Sequence, residues 1–374
     1  MRAAVFCCTM RNVIKWKRES NRILSGKLCG DDSGKTHMAE PGKGYIMVEN
    51  RKNGRWQGGL TALLCMLTIC LTVCLAGCGG DNGKRDGAIR RVTDATGATV
   101  EYPERPVRVA SLSASTDEIL LDLLPPERIV AVTRLADDPG ISNVVEKAAK
   151  IPNKIRQVTA ENMVELKPDL MIMPDFTKPE VIQTMRDMGL ATYVYRTQKN
   201  YADVRAEIIT IGSLVGEPEK AEQLVAEMDA KLERIRRQVG DVPPEKRPRV
   251  LFMRANGVYY NKESSFRDVC HAAGGVEATE VLDSRNLPPG TLSKEMVVEL
   301  DPDVIALGDW NYDGKHDVRD EIRQIREDPA YRNVKAVRNN RIHVIPSTHL
   351  LGLSHYMAEG SVDLAGILYP DRVR

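Results

Sequence analysis

Residues 159–176 read TAENMVELKPDLMIMPDF, and residues 293–310 read SKEMVVELDPDVIALGDW. Ser293 stands 134 positions after Thr159, and at that offset the two segments align without a gap. Glu161 falls on Glu295, Val164 on Val298, Glu165-Leu166 on Glu299-Leu300, Pro168-Asp169 on Pro302-Asp303 and Asp175 on Asp309, with an aromatic residue next in both. Each copy begins with a hydroxyl residue at an N-cap and a carboxylate two residues later. A short helix, a proline turn and a buried strand follow. Any two α/β units share apolar positions, but packing alone does not place a glutamate at the same point of two helix starts. The expectation is a pseudo-repeat of two lobes with a cleft between them.

Length and composition fit that reading. The chain has 374 residues, of which 42% are hydrophobic and 28% charged, enough for two ordinary domains. The formal charge of +1 hides an asymmetry: residues 1–78 hold twelve Lys/Arg and five Asp/Glu, and the rest holds 41 basic and 47 acidic residues, a net of −6. A mildly acidic body has no bulk attraction for nucleic acid. Of eight cysteines only Cys270 lies beyond Cys78, and no CxxC or Cys/His cluster points to a structural zinc. No metal site and no cofactor are expected.

Met1–Ile46 is polar, glycine-rich and basic, and is read as a non-native or disordered extension. Met47 then precedes Arg51, Lys52 and Arg55 and an apolar run from Leu60 to Ala76, the pattern of a signal peptide over 47–78 with Met47 as initiator. The run closes on Leu75-Ala76-Gly77-Cys78, which resembles a bacterial lipobox and makes Cys78 the expected lipidated residue. A retained anchor helix is the alternative, and at 17 residues the run is at the short edge of a membrane span. Residues 79–91 are read as a tether.

From residue 92 onward, short apolar runs alternate with helical patterns, as in α/β lobes. The N-terminal lobe is assigned to 92–216 and the C-terminal lobe to 241–374. Between them lies the longest helical signal, Glu217–Val239, with Ala221, Leu224, Val225, Met228, Leu232, Ile235 and Val239 at three- and four-residue steps. Pro218 stands at its start and Gly240 at its end. Such a helix is about 35 Å long at 1.5 Å per residue. Midway between the copies, residues 217–240 are the natural connector.

These features together resemble the substrate-binding lipoproteins of ATP-binding-cassette importers for iron–siderophores, haem and cobalamin. The resemblance runs from about Val92 to the C-terminus. Its carriers are Val107–Leu121 (VRVASLSASTDEILL), both repeat copies, Ser265–Val276 with Gly274-Gly275, and Asp328–Pro346 (DPAYRNVKAVRNNRIHVIP). It implies two Rossmann-like lobes joined by one long helix, with a stiff hinge. It also implies that one glutamate on each lobe docks onto arginine pockets of a membrane permease, and those residues carry over to Glu161 and Glu295.

Ligands of open α/β sheets sit outside the carboxyl ends of the strands. That rule selects Ser113, Arg134, Phe176, Arg196, Arg254, Trp310 and His349 as ligand-binding candidates. The arginines suit an anionic chelate and the two aromatic rings a planar group. His349 and His355 are six residues apart, a step no helix face explains, and direct metal ligation is not inferred.

The expected protein is an exported, lipid-anchored, monomeric receptor without catalytic residues, serving an ATP-binding-cassette permease and its ATPase. An iron–siderophore chelate is the first choice because of the arginines and the 5% aromatic content, then cobalamin, then haem. A surface hydrolase is the rival from another class, but no GxSxG, HExxH or P-loop pattern occurs. A ligand-binding sensory or adhesion module is the other.

Overall fold

The structure is a computed structural model and describes residues 88–373 except 255–256, 312–313 and 316. The extension, the signal peptide, Cys78 and most of the tether lie outside the described residues. The first described element, β1 (Ile89–Thr93), begins inside the segment read as tether and pairs antiparallel with β2 (Thr99–Pro103). Asp94, at the turn, fixes this hairpin to the body. Its carboxylate pairs with Arg186 and accepts the Val194 amide at 3.1 Å.

Two parallel sheets follow. The first combines β3 (Val109–Ser111), β4 (Ile129–Thr133), β5 (Lys154–Ile155), β6 (Leu170–Pro174) and β7 (Thr192–Tyr195) in the order β5-β4-β3-β6-β7. Helices α1 (Ala114–Leu123), α2 (Val145–Ala148), α3 (Ala160–Leu166) and α4 (Pro179–Asp187) connect them, and α5 (Tyr201–Leu214) follows β7. After the connector α6 (Pro218–Val239), the second sheet combines β8 (Arg249–Met253), β10 (Val276–Glu277), β12 (Val304–Gly308) and β13 (Ile342–Ile345) in the order β10-β8-β12-β13. Its helices are α7 (Ser265–Ala272), α8 (Lys294–Leu300), α9 (Val318–Glu327), α10 (Lys335–Arg338) and α11 (Met357–Leu368), and β9 (Tyr259–Tyr260) pairs with β11 (Gly290–Thr291) beside the sheet. Parallel strands covered on both faces need unbroken apolar runs, and β6, LMIMP, is buried at all five positions.

The repeat holds in three dimensions. β6 lies against β3 with Leu170 opposite Val109, and β12 lies against β8 with Val304 opposite Val250. Thr159 and Ser293 cap α3 and α8 by accepting the amides of Asn162 and Met296, and both helices end in a left-handed residue, Lys167 and Asp301. The repeated Pro-Asp has a structural reason. Asp169 accepts the amides of Val107 and Arg108 at 2.8 and 3.0 Å, and Asp303 accepts that of Arg249 at 2.9 Å. Each carboxylate thus satisfies backbone donors where the neighbouring central strand begins. Asp175 and Asp309 act alike at the other strand end: Asp175 accepts the Thr197 amide at 3.1 Å, Asp309 that of Ser347 at 2.8 Å.

The long helix α6 packs on α5 from the first half of the chain and on α11 and α7 from the second. Its buried stripe is Ala221, Met228, Ile235 and Val239. The α5 crossing is close because Gly212 has no side chain: a Cβ there would lie 2.3 Å from that of Ala221.

Candidate functional site

The carboxyl ends of β3, β4, β6 and β7 lie at one end of the first parallel sheet. A cavity of about 570 Å³ opens at this end of the first sheet. Ser113, Arg134, Phe176 and Tyr195 line it from the ends of β3, β4, β6 and β7, and Trp310 and Leu351–Leu353 close it from the second half. The indole of Trp310 donates to Asp138 at 2.9 Å, so the two halves are joined across the mouth. Gly140 makes room for the ring, since a Cβ there would meet Trp310 Cδ1 at 2.7 Å.

Four of the seven ligand-binding candidates therefore share one cavity: Ser113, Arg134, Phe176 and Trp310. Phe176 is 74% exposed, a large apolar ring left to water beside an opening. Ser113 has a second duty: its hydroxyl caps α1 and accepts from the Tyr195 phenol at 2.7 Å. Arg254 lines a smaller adjoining cavity of about 180 Å³ that shares Leu351 and Leu353, and its guanidinium stands 5.6 Å from the centre of the Phe252 ring. The other two candidates are not brought to either cavity. Arg196 is exposed to solvent. The His349 imidazole is taken by Asp363 of α11 at 2.6 Å, and that carboxylate raises its pKa above the ordinary value. Position at a strand end does not decide where a long side chain points.

A buried clamp backs the cavity. On α1, Glu118 accepts from the Asn143 amide at 3.0 Å and from Ser354, and Asp122 meets His355 Nε2 at 2.7 Å and the Tyr356 phenol at 3.0 Å. Burial raises the pKa of Glu118. Asn143 also donates to the Thr348 carbonyl at 2.8 Å. The loop that carries these partners holds Leu353 at φ +50°, a left-handed conformation that a branched side chain rarely adopts. Gly352 must stay bare, because a Cβ would lie 2.6 Å from the Glu118 carboxylate.

Glu161 and Glu295 are both exposed, one on each half. Hydrogen bonding to Ser293 holds Glu295 below the usual carboxylate range. One turn further, Val164 and Val298 are also exposed, at 41% and 36%. An apolar residue repeated for packing would be buried; these two face water at matched positions. Of the second repeated acids, Glu299 pairs with Arg285, and Glu165 is exposed.

Sequence reasoning missed Asp138 and the Leu351–Leu353 loop at the cavity, since neither stands in a repeat or at a strand end, and Arg156, which directly follows β5, a strand of two residues too short to read from the sequence. Gln198 was missed too, and only its burial marks it. Among the described residues no group of three or more His, Cys, Asp or Glu side chains is placed to hold a metal ion. Cys270 is a buried free thiol. No helix among them is long and apolar enough to cross a membrane.

The chain is 23% identical over 313 residues to an uncharacterized ABC transporter substrate-binding lipoprotein, YvrC, of Bacillus subtilis (strain 168), covering 79% of this chain and 93% of that one. A cobalamin-binding protein of Halobacterium salinarum is 26% identical over 216 residues, with 58% of this chain and 57% of the relative covered. Among solved structures, molybdate-bound MolA of Haemophilus influenzae has a TM-score of 0.63 at 22% identity, covering 76% of this chain and 92% of its own. The periplasmic heme-binding protein RhuT of Roseiflexus sp. RS-1 has a TM-score of 0.59 at 23% identity, covering 70% and 98%. At such identities these structures speak for the fold alone. The model of the family described as "Periplasmic binding protein" matches residues 109–348. That match begins at the first residue of β3 and ends three residues past β13, taking in both sheets and the helix between them, and the chain belongs to the periplasmic binding protein family.

Proposed function

We propose that this chain is the extracytoplasmic receptor of an ATP-binding-cassette importer, which captures a metal chelate in the cleft and delivers it to the permease without transforming it. The observation that carries this reading is the cavity at the strand ends, bounded by both halves and bridged by Trp310 and Asp138. Its size and mostly apolar lining suit an organic chelate better than a small bare anion. Arg134 and Arg156 on its wall favour negative charge on that ligand. An iron–siderophore complex is the first choice, with cobalamin and haem as the alternatives. On this reading Cys78 carries the lipid that holds the receptor to the membrane, and the receptor works as a monomer.

Glu161 and Glu295 are the proposed docking residues, and the matched valines extend each into the same two-part surface of an acid with an apolar knob. Exposed ion pairs contribute little each, so their part is register and orientation on a pseudo-twofold partner. The test of the ligand class is fluorescence titration with ferric siderophores, cobalamin and haem. Trp310 is the only tryptophan after Trp56, so it supplies the whole tryptophan emission of a chain processed at Cys78. A saturable change with one of the three is expected; flat responses to all would discredit the ligand class.

A further inference from the structure

Four side chains among the described residues bury a polar atom without a partner: Gln198, Glu207, Arg267 and His355. Only Gln198 lines the large cavity. It is 3% exposed, and neither its amide nitrogen nor its carbonyl oxygen finds a hydrogen-bond partner in the protein. The contrast with its neighbours is direct. Ser113, Ser115 and Tyr195 stand on the same wall and satisfy one another, Ser115 with Tyr195 at 2.9 Å and Tyr195 with Ser113 at 2.7 Å. These hydroxyls call for nothing from a ligand. Gln198 does, because native proteins rarely leave a buried amide unmatched at both ends.

We infer that Gln198 is a specificity-determining ligand contact, and that the bound chelate carries amide groups whose carbonyl and N–H pair with it together. This rests on the proposal that the cavity is the ligand site. A glutamine offers two donors and one acceptor from adjacent atoms, so it matches a group that accepts and donates side by side. A primary carboxamide does so within one group, and an extended peptide does so with the N–H and C=O of one residue. A bare oxyanion offers acceptors only, as does the ionised propionate of a haem, and either would leave Gln198 Oε1 unpaired. Both amide atoms are covered in this conformation, so the inferred contact requires the side chain to turn about its own torsions toward the cavity that it lines. The inferred ligands are therefore cobalamin-like or peptide-based chelates.

The experiment is calorimetric titration of the protein and of Gln198→Met with ferrichrome, cyanocobalamin, haemin and molybdate, together with the melting temperature of each ligand-free protein. Methionine keeps the length of the side chain and removes the amide; Gln198→Leu serves if that variant does not fold. The expected result is binding of ferrichrome or cyanocobalamin, weakened about tenfold or more in the variant, with an unchanged or higher melting temperature. A merely structural glutamine gives the opposite pair, lost stability and unchanged affinity, and that overturns the inference. Tight binding of haemin or molybdate alone also overturns it while leaving the receptor reading standing. Binding of none of the four would take the receptor reading down as well.

Discussion

The indole nitrogen of Trp310 reaches the carboxylate of Asp138 across the cleft, 172 residues apart in the chain and 2.9 Å apart in space. This hydrogen bond ties the halves directly at the cavity mouth, and its acceptor is a carboxylate. Asp138→Ala should loosen the mouth and weaken ligand binding by about threefold to tenfold, less than a fully buried charged bond would give. Gly140→Val should do more, since it pushes the ring itself. The emission maximum of Trp310 reads both: each variant should shift to the red, and an unshifted spectrum in Gly140→Val would contradict the packing described.

Glu161→Ala combined with Glu295→Ala should abolish uptake in cells while ligand affinity stays as in the parent. The single variants should be intermediate, because on the proposed reading each acid serves one side of a pseudo-twofold partner. Val164→Asp with Val298→Asp should also depress uptake without affecting binding, as both valines are exposed in the parent. Normal transport by the glutamate double variant would remove those residues from the docking surface.

Asp169 and Asp303 predict a graded pair of stability losses. Asp169 holds two strand-start amides and Asp303 one. Replacing either by alanine should cost about 1–3 kcal/mol in urea unfolding, with Asp169 the more costly. The residues belong to different sheets, so the double variant should lose about the sum, within roughly 0.5 kcal/mol.

Glu207 sets a pH dependence. Burial alone pushes its carboxyl from 4.5 up to about 8. The folded protein therefore keeps a proton that the unfolded chain releases, so this residue makes stability fall as pH rises from about 4.5 to about 8. Asp117, pushed up to about 7 by burial, slopes the same way. Glu207→Gln should remove part of the slope. The expected outcome is a melting temperature raised by a few degrees at pH 8 and little changed at pH 5; equal effects at both would place the cause elsewhere.

What the sequence disclosed follows from which forces are local. The five-residue runs of β6 and β12, the N-caps Thr159 and Ser293, and the apolar stripe of α6 are written in adjacent residues, and all stand within a residue or so of expectation. The β1–β2 hairpin was hidden because IRRVT is polar and exposed at nearly every position and reads like a charged tether. The site was half legible. Strand ends marked Ser113, Phe176 and Trp310, but the partners that aim or occupy side chains come from far along the chain, as Asp363 does for His349 and Asp138 for Trp310. Leu353 gave no sign of its left-handed backbone, which a glycine would have announced.

The helix α6 lies along both halves, and the clamp from α1 to the Leu350–Tyr356 loop holds them together a second time. On the proposed docking reading, a spine braced in this way should keep the distance between Glu161 and Glu295 nearly constant. Cargo should then change that length little, so vacant receptors should fit the proposed docking sites as filled ones do and compete for them. Transport would then slow when unloaded copies outnumber loaded ones, and the decision to spend ATP would fall to a finer cue at the cavity mouth, where the indole and its acid meet.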